Sequence, residues 1–256
     1  MLEVRNLTVQ FGGFRAVGDL SFVVPADRLT ALIGPNGAGK TTFFNAASGL
    51  VRARSGSILF EGRDVTRERP ERITAAGMVR TFQIARGFPR LSVFEHLMLY
   101  DQRNPAERLG NALLGRGRRH EEEVAERAIS IARQLLIDHI LDNRVTEISG
   151  GQKKLLEIGR GLMADPRLLL LDEPVAGVNP TLAEDIGDRL RDLVAGGLTI
   201  LLIEHDMALV GRIADHVVVM AQGRRLAEGS FAEIRENPVV QDAYLGGGVL
   251  DDAVGE

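Results

Sequence analysis

The chain has 256 residues, 45% of them hydrophobic, which suits one large α/β domain or a domain with a smaller lobe and leaves little room for two full domains. Its formal net charge of −4 supplies no general electrostatic drive toward nucleic acid, and the absence of cysteine excludes disulfides, thiolate metal sites and a cysteine nucleophile. The longest apolar runs, such as Leu168 to Leu171 and Ile200 to Ile203, are strand-sized and far short of the roughly 20 residues that cross a bilayer, so any membrane role is expected to be peripheral.

From the N-terminus, Leu2, Val4, Leu7, Val9 and Phe11 keep a near alternation that predicts a strand at once, with no secretory leader ahead of it. Turns are predicted at Gly12-Gly13 and Gly18-Asp19. Phe11 ends the first strand, where its ring would either stack on a flat ligand or join the core. The apolar run Leu29 to Ile33 then leads into Gly34-Pro-Asn36-Gly37-Ala38-Gly39-Lys40-Thr41-Thr42, followed by a helix-like stretch. This is the P-loop pattern in the strand–loop–helix setting it requires. Glycines let successive backbone N–H groups and the helix N-terminus point at an anion. Lys40 would place its charge near the β- and γ-phosphates, and the Thr41 hydroxyl would take one position on Mg²⁺. The chain is therefore expected to bind a nucleoside triphosphate.

Ser57 to Phe60 reads as a strand, Pro70 to Gly77 as a short helix, and Met78 to Phe82 as a strand ending in Gln83. Ser92-x-x-Glu95 is a capping box that opens a helix through Leu97 and Leu99. From Asp101 to Arg119 the chain turns polar and arginine-rich and reads as an exposed connection. A helical period returns between His120 and Leu136, with Val124, Ala128, Ile131 and Leu135 on one side. No convincing strand appears between Pro89 and Glu147, so this region is expected to be a helical lobe inserted into an α/β domain.

The alternation of strand and helix resumes at Ser149-Gly150-Gly151-Gln152, where Ser149 can cap a helix running to Ala164; taken alone, the motif is either an ordinary helix cap or a second place where N–H groups meet an anion. Leu168 to Leu171 predicts a buried strand ending in Asp172-Glu173. Two carboxylates at the end of an apolar parallel strand are costly unless a cation, proton or water engages them. With a P-loop upstream, Asp172 suits the shell of Mg²⁺, and Glu173 suits the positioning and polarisation of an attacking water. After a helix from Pro180 toward Ala195, the strand Thr199 to Ile203 ends in Glu204-His205-Asp206. His205 stands at the end of the sheet where ligands bind, either as a structural histidine or as a contact for the γ-phosphate. A hairpin around Gln222-Gly223 and a helix capped by Ser230-x-x-Glu233 complete the chain.

Taken in this order, Gly34 to Thr42, Gln83, Ser149 to Gln152, Leu168 to Glu173 and His205 resemble the ATP-binding cassette of ABC transporters. Ser-Gly-Gly-Gln ahead of an apolar run and Asp-Glu-Pro is a signature that other P-loop enzymes lack. More finely, Phe11 to Val17, Val79 to Gln83, Ala176 to Pro180, Ile203 to Met207 and the end from Asn237-Pro through Leu245 look like the ATPase subunits of bacterial branched-chain amino-acid importers, with urea and amide importers close by. The chain departs from the common pattern at Ile148, where leucine is usual, and at Asn179, where many cassettes have aspartate.

The resemblance implies a single α/β P-loop cassette over 1–256, with a RecA-like, mixed and largely parallel sheet and N-terminal antiparallel strands. Residues 1–88 and 148–256 would form the catalytic lobe, and 89–147 the helical lobe that continues into the signature helix. It implies ATP and Mg²⁺ as cofactors. Phe11 would stack on adenine, and Gly34, Asn36, Gly37, Ala38, Gly39, Lys40, Thr41 and Thr42 would hold the phosphates. Thr41, Asp172 and Gln83 would serve Mg²⁺, Glu173 would be the catalytic base and His205 the γ-phosphate switch. Ser149, Gly150, Gly151 and Gln152 would close on ATP bound by a second ATP-binding subunit, identical or related. It further implies two transmembrane permease subunits, an indirect solute-binding protein outside the cell, and a place on the cytoplasmic face of the membrane. The alternative from a different class is a soluble cassette ATPase acting on nucleic acid or ribosomes. Such proteins commonly carry a second cassette, a long coiled coil or zinc-binding cysteines, which this sequence lacks, and no nucleic-acid partner is expected.

Overall fold

The apolar runs form strands that sort into two sheets according to whether one face or both faces are buried. In the computed structural model, residues 1–81, 88–101 and 116–245 are described, the side chains of 116–119 and 245 excepted. β1 (Leu2–Phe11) buries Leu2, Val4, Leu7 and Val9 and lies between β2 (Phe14–Val24) and β4 (Ser55–Phe60). With β5 (Arg63–Asp64) these make a four-stranded antiparallel sheet in the order β2-β1-β4-β5. The turn expected at Gly18-Asp19 is not one. β2 runs straight through it, and the chain absorbs the irregularity as a register shift against β1, with Asp19 at φ 58° and its backbone N–H on the Thr8 hydroxyl.

The second sheet is built from strands that bury both faces, as parallel strands between helical layers must. β3 (Leu29–Ile33), β7 (Leu168–Asp172) and β8 (Thr199–Ile203) are almost wholly buried. Its order is β10-β9-β3-β8-β7-β6, in which β6 (Met78–Arg80), β7, β8, β3 and β9 (His216–Ala221) run parallel. β10 (Arg224–Gly229) adds the antiparallel hairpin at one edge.

Alternate residues of the central strands point to opposite layers. On one face Leu168, Leu170, Leu201 and Ile203 join Phe43 and Phe44 of α1 (Lys40–Ala47) and the apolar residues of the first sheet. Phe43 meets Phe22 of β2 edge to face, with ring centroids 5.1 Å apart. On the other face Leu169, Leu171, Ile200 and Leu202 share one cluster with the helices of the middle region. These are α3 (Val93–Met98), α4 (Arg116–Gln134), α5 (Gly150–Met163) and α6 (Pro180–Ala195), while α2 (Pro70–Ala75) leads into β6. α4 already begins at Arg116, so the end of the stretch read as a connection is helical. Gly159 of α5 lets that helix approach α3 and α4 closely, because a Cβ there would meet Leu97 at 3.0 Å and Leu135 at 3.1 Å.

A third cluster covers the far side of β3 and β9. Ala31, Ile33, Val217 and Val219 pack with Ile234 of α8 (Phe231–Glu236) and with Val240 and Tyr244 of α9 (Pro238–Leu245). Between β8 and β9 lies α7 (Met207–Ile213), capped by the Asp206 side chain on the Leu209 N–H.

Leu170 is fully buried at the centre of the sheet, and its Leu170→Ala variant should lose about 2–5 kcal/mol of stability. A urea titration followed by circular dichroism, with the midpoint moving to lower denaturant, is the expected outcome.

Candidate functional site

The register of the parallel strands brings three loops to one edge. Leu32 of β3 and Asp172 of β7 both pair with Ile203 of β8, so the strands end level. The chain leaves β3 into the P-loop, β7 into Glu173-Pro174, and β8 into Glu204-His205.

The P-loop is shaped by backbone that L side chains tolerate badly. Gly34 has φ 144°, and a Cβ there would lie 2.0 Å from the Met220 carbonyl oxygen; Gly39 has φ 97°, and a Cβ would lie 2.5 Å from the Ala16 carbonyl oxygen. No side chain caps α1 at Gly39, so the first-turn N–H groups have no intrahelical partner and remain available to an anion. Asn36 and Gly37 at the tip are exposed, Ala38 and Lys40 are buried, and Thr41 and Thr42 open the helix. Lys40 Nζ donates to the carbonyls of Gly34 at 2.6 Å and Pro35 at 3.1 Å. Burial pulls the Lys40 pKa down from its ordinary value, opposed by the negative charges of Glu173 and Asp172.

Thr41, Asp172 and Glu173 line one cavity, together with Arg80, Thr81 and Lys154. A hydroxyl and a carboxylate are hard oxygen donors of the kind Mg²⁺ takes, and Mg²⁺ binds through one or two carboxylates while keeping phosphate and water ligands. The donor set fits that ion. Among the described residues no group of three or more His, Cys, Asp or Glu side chains could hold a metal ion by itself. Asp172 is meanwhile held by Arg80, whose Nη2 donates to Oδ2 at 2.9 Å while Nη1 donates to Asn45 Oδ1 at 2.6 Å.

Glu173 has φ 51°, a left-handed conformation that costs a non-glycine residue on the order of 1–3 kcal/mol. It is held there by its own N–H on the Ile203 carbonyl at 2.9 Å and by Lys154 Nζ on its carbonyl at 3.3 Å. Its Oε1 lies 3.1 Å from His205 Nε2, both side chains being partly exposed, and His205 lines a neighbouring cavity that shares Glu173 with the first. The buried Glu204 sits behind this pair, and burial pushes its carboxyl pKa up while hydrogen bonds from Val175, His205 and Asp206 N–H groups oppose that. Sequence reasoning passed over Arg80, Lys154 and Glu204; only Glu204 carried a signal, as a carboxylate directly beside the histidine.

The remaining candidates lie around this centre. Phe11 is half exposed at the tip of the β1–β2 hairpin opposite Phe14, itself 68% exposed, and Ala16 on the same strand touches the P-loop. Ser149 caps α5 through a capping box with Gln152, the two bonds being 3.2 Å and 2.9 Å. Ser149 and Gly150 are exposed, and none of Ser149, Gly150, Gly151 and Gln152 lines the cavity at Thr41 and Asp172. Gly151 instead answers a packing need, since a Cβ there would fall 1.8 Å from Leu182 of α6. Asn179 caps α6 by accepting the Leu182 N–H at 2.9 Å, a task aspartate performs equally well. Gln83 lies outside the described residues.

Comparison with known proteins bears on the same residues. The ABC transporter family matches residues 17–176, more than half of the chain and including both the P-loop and the carboxylate pair. The chain belongs to the ABC transporter family. A second match, to the branched-chain amino acid ATP-binding cassette transporter family, covers residues 224–249. A probable branched-chain amino acid transport ATP-binding protein of Archaeoglobus fulgidus is 41% identical over 96% of this chain and 95% of its own. A high-affinity branched-chain amino acid transport ATP-binding protein of Pseudomonas aeruginosa is 39% identical over 96% of this chain and 98% of its own. Among solved structures, an ATP-binding cassette of an ABC transporter in its ADP conformation superposes with a TM-score of 0.85 at 37% identity, over 96% of this chain and 98% of that one. As an ABC ATP-binding cassette the chain binds and hydrolyses ATP, and the C-terminal edge shared by β3, β7 and β8 is the side on which open α/β sheets bind ligands.

Lys40→Ala should weaken ATP binding roughly ten- to a hundredfold, the worth of about 1.5–3 kcal/mol for a hydrogen bond to a charged group. Isothermal calorimetry checks this. Gly150→Ala should leave the unfolding temperature unchanged, whereas Gly151→Ala should lower it, because only the second drives a methyl into the Leu182 side chain and makes it shift; thermal unfolding of the two variants separates them.

Proposed function

We propose that this chain is the ATP-driven motor of an importer for branched-chain amino acids or closely related amino acids and amides. The observation that carries the motor reading is the Glu173–His205 contact of 3.1 Å, one strand from the P-loop lysine. The cargo reading is supported by the C-terminal match over residues 224–249 and by near full-length relatives named for that transport. The same match favours transport over the nucleic-acid alternative.

In this reading a water attacks the γ-phosphate in line, and Glu173 Oε1 takes its proton. His205 Nε2, already beside that carboxylate, holds the γ-phosphate and the water in register. Lys40 and the N–H groups that open α1 receive the charge that develops on the phosphate oxygens, a preorganised stabilisation that costs no rearrangement. Thr41 and Asp172, with Gln83, would hold Mg²⁺, which supplies Lewis-acid neutralisation of the phosphate oxygens. Asp172, now held by Arg80, would have to turn from that partner to hold the ion. Phe11 supplies the aromatic surface for adenine.

Ser149, Gly150, Gly151 and Gln152 complete the site of a second cassette, identical or related, so that two ATP molecules are buried between two chains. The exposed N-terminus of α5 supports that arrangement, as does the lining of the Thr41–Asp172 cavity, which takes Lys154 of that helix but none of the four signature residues. Residues 1–88 and 148–256 act as the catalytic lobe and 89–147 as the helical lobe. Two permease subunits dock where the lobes meet. A cleft there is lined by Ile73, Met78, Tyr100 and Arg160, with Phe88 and Leu99 exposed elsewhere on α3 and its approach. Arg160 stacks on the Tyr100 ring at 3.9 Å, and its Nε and Nη1 find no hydrogen-bond partner among the described residues. Burial lowers the Arg160 pKa to about 10. A solute-binding protein outside the cell delivers cargo to the permeases. No described helix is long and apolar enough to cross a membrane, which fits a chain held on the cytoplasmic face by those subunits.

The test is sedimentation of the Glu173→Gln protein with ATP at high concentration and Mg²⁺ withheld, with its turnover measured separately in the presence of Mg²⁺. A shift from monomer to dimer with turnover lost and ATP still bound is the expected outcome. Normal turnover in this variant would remove Glu173 from the role of base, and a monomer that binds ATP would remove the self-pairing dimer.

A further inference from the structure

Beyond the pair that handles the phosphate, one buried carboxylate joins the two loops on which that pair stands. Glu204 is only 3% exposed, and its oxygens are divided between two strand ends. Oε1 accepts the Val175 N–H at 3.1 Å, in the turn that follows Glu173. Oε2 accepts the His205 N–H at 3.0 Å. A third bond closes the circuit, from the Glu173 N–H to the Ile203 carbonyl at 2.9 Å. The segment 173–175 is thus tied to the segment 203–205 at both ends, and the Glu173–His205 contact lies across the tie.

We propose that Glu204 is a positioning residue that sets the spacing between Glu173 and His205 by clamping their backbones together. This rests on the reading of those two residues as the hydrolytic pair. The geometry gives the clamp its specificity. Glu173 stands in a left-handed backbone conformation that its own side chain does not favour, so the turn needs outside restraint to stay there. A carboxylate with two acceptor oxygens can take N–H groups from both loops at once. A neutral amide has one acceptor oxygen, and its NH₂ would face the other N–H. An apolar side chain would leave both N–H groups unsatisfied in a buried place. None of these bonds involves the P-loop, so nucleotide affinity does not depend on the clamp.

The experiment compares Glu204→Gln and Glu204→Ala with the unaltered chain, measuring ATP turnover per bound nucleotide and the ATP Kd for each. Normalising to bound nucleotide removes the part of any loss that comes from unfolded protein. A displacement of about 1 Å in a reacting group costs on the order of a hundredfold in rate, so Glu204→Ala should lose at least about tenfold in turnover while its Kd stays within about twofold. Glu204→Gln, keeping one acceptor, should fall between. Turnover per bound nucleotide within about twofold of the unaltered chain, whatever happens to the unfolding temperature, would reduce Glu204 to a structural carboxylate. If Glu204→Ala does not fold, Glu204→Gln decides by the same criterion. Glu173→Gln is run alongside: normal turnover there would overturn the reading of the pair itself, while leaving the Glu204 comparison to be judged on its own numbers.

Discussion

Everything at the nucleotide edge depends on parallel strand register. β3, β8 and β7 are neighbours in the sheet, and because Ile203 faces Leu32 on one side and Asp172 on the other, their C-terminal ends finish at one height. A slip by one residue would turn every side chain of a strand to the opposite layer, exchanging Leu169 and Leu171 for Leu168 and Leu170. Such a slip is opposed on both faces, since each layer has its own apolar partners, the P-loop helix on one side and α5 and α6 on the other. Core packing therefore fixes the placement of the P-loop, of the carboxylates and of the histidine, although only Ala38 of the P-loop belongs to that core.

Each charged group described at this edge has an opposite charge, a donor or an acceptor beside it. Asp172 has Arg80, Glu173 has His205 and Lys154 nearby, Glu204 has backbone N–H groups, and Lys40 has the loop carbonyls. Burying unpaired ions would cost several kcal/mol each, so the substitutes are needed before any ligand arrives. The same substitutes are weak enough to be replaced. The Lys40 bonds to neutral carbonyls would give way to bonds with phosphate oxygens, which are stronger because the acceptor is charged.

How much of this was legible in the sequence follows from the range of the interactions. The P-loop, the strand ending in Asp172-Glu173, the capping boxes at Ser92, Ser149 and Ser230, and the hairpin at Gln222-Gly223 are local patterns, and they stand where the spacing put them. Arg80 was missed as the partner of Asp172 because 92 residues separate the two in sequence. Glu204 was seen beside His205 but not understood, because its second contact, Val175, lies 29 residues away. The turn expected at Gly18-Asp19 failed for the opposite reason. A Gly-Asp pair is a sound turn signal locally, and the pairing of β2 with β1 along its whole length overrides it as a bulge.

The last helix has a consequence for how the molecule comes into being. Tyr244 and Val240 of α9 cover Ala31 and Ile33, so the strand that feeds the P-loop is walled on one side by residues made more than two hundred positions after it. On a ribosome, the phosphate-binding loop would emerge early and wait, its strand wet on one flank, until nearly the whole chain had been released. A message cut short before α9 would encode every residue of the nucleotide site and still lack the wall behind it.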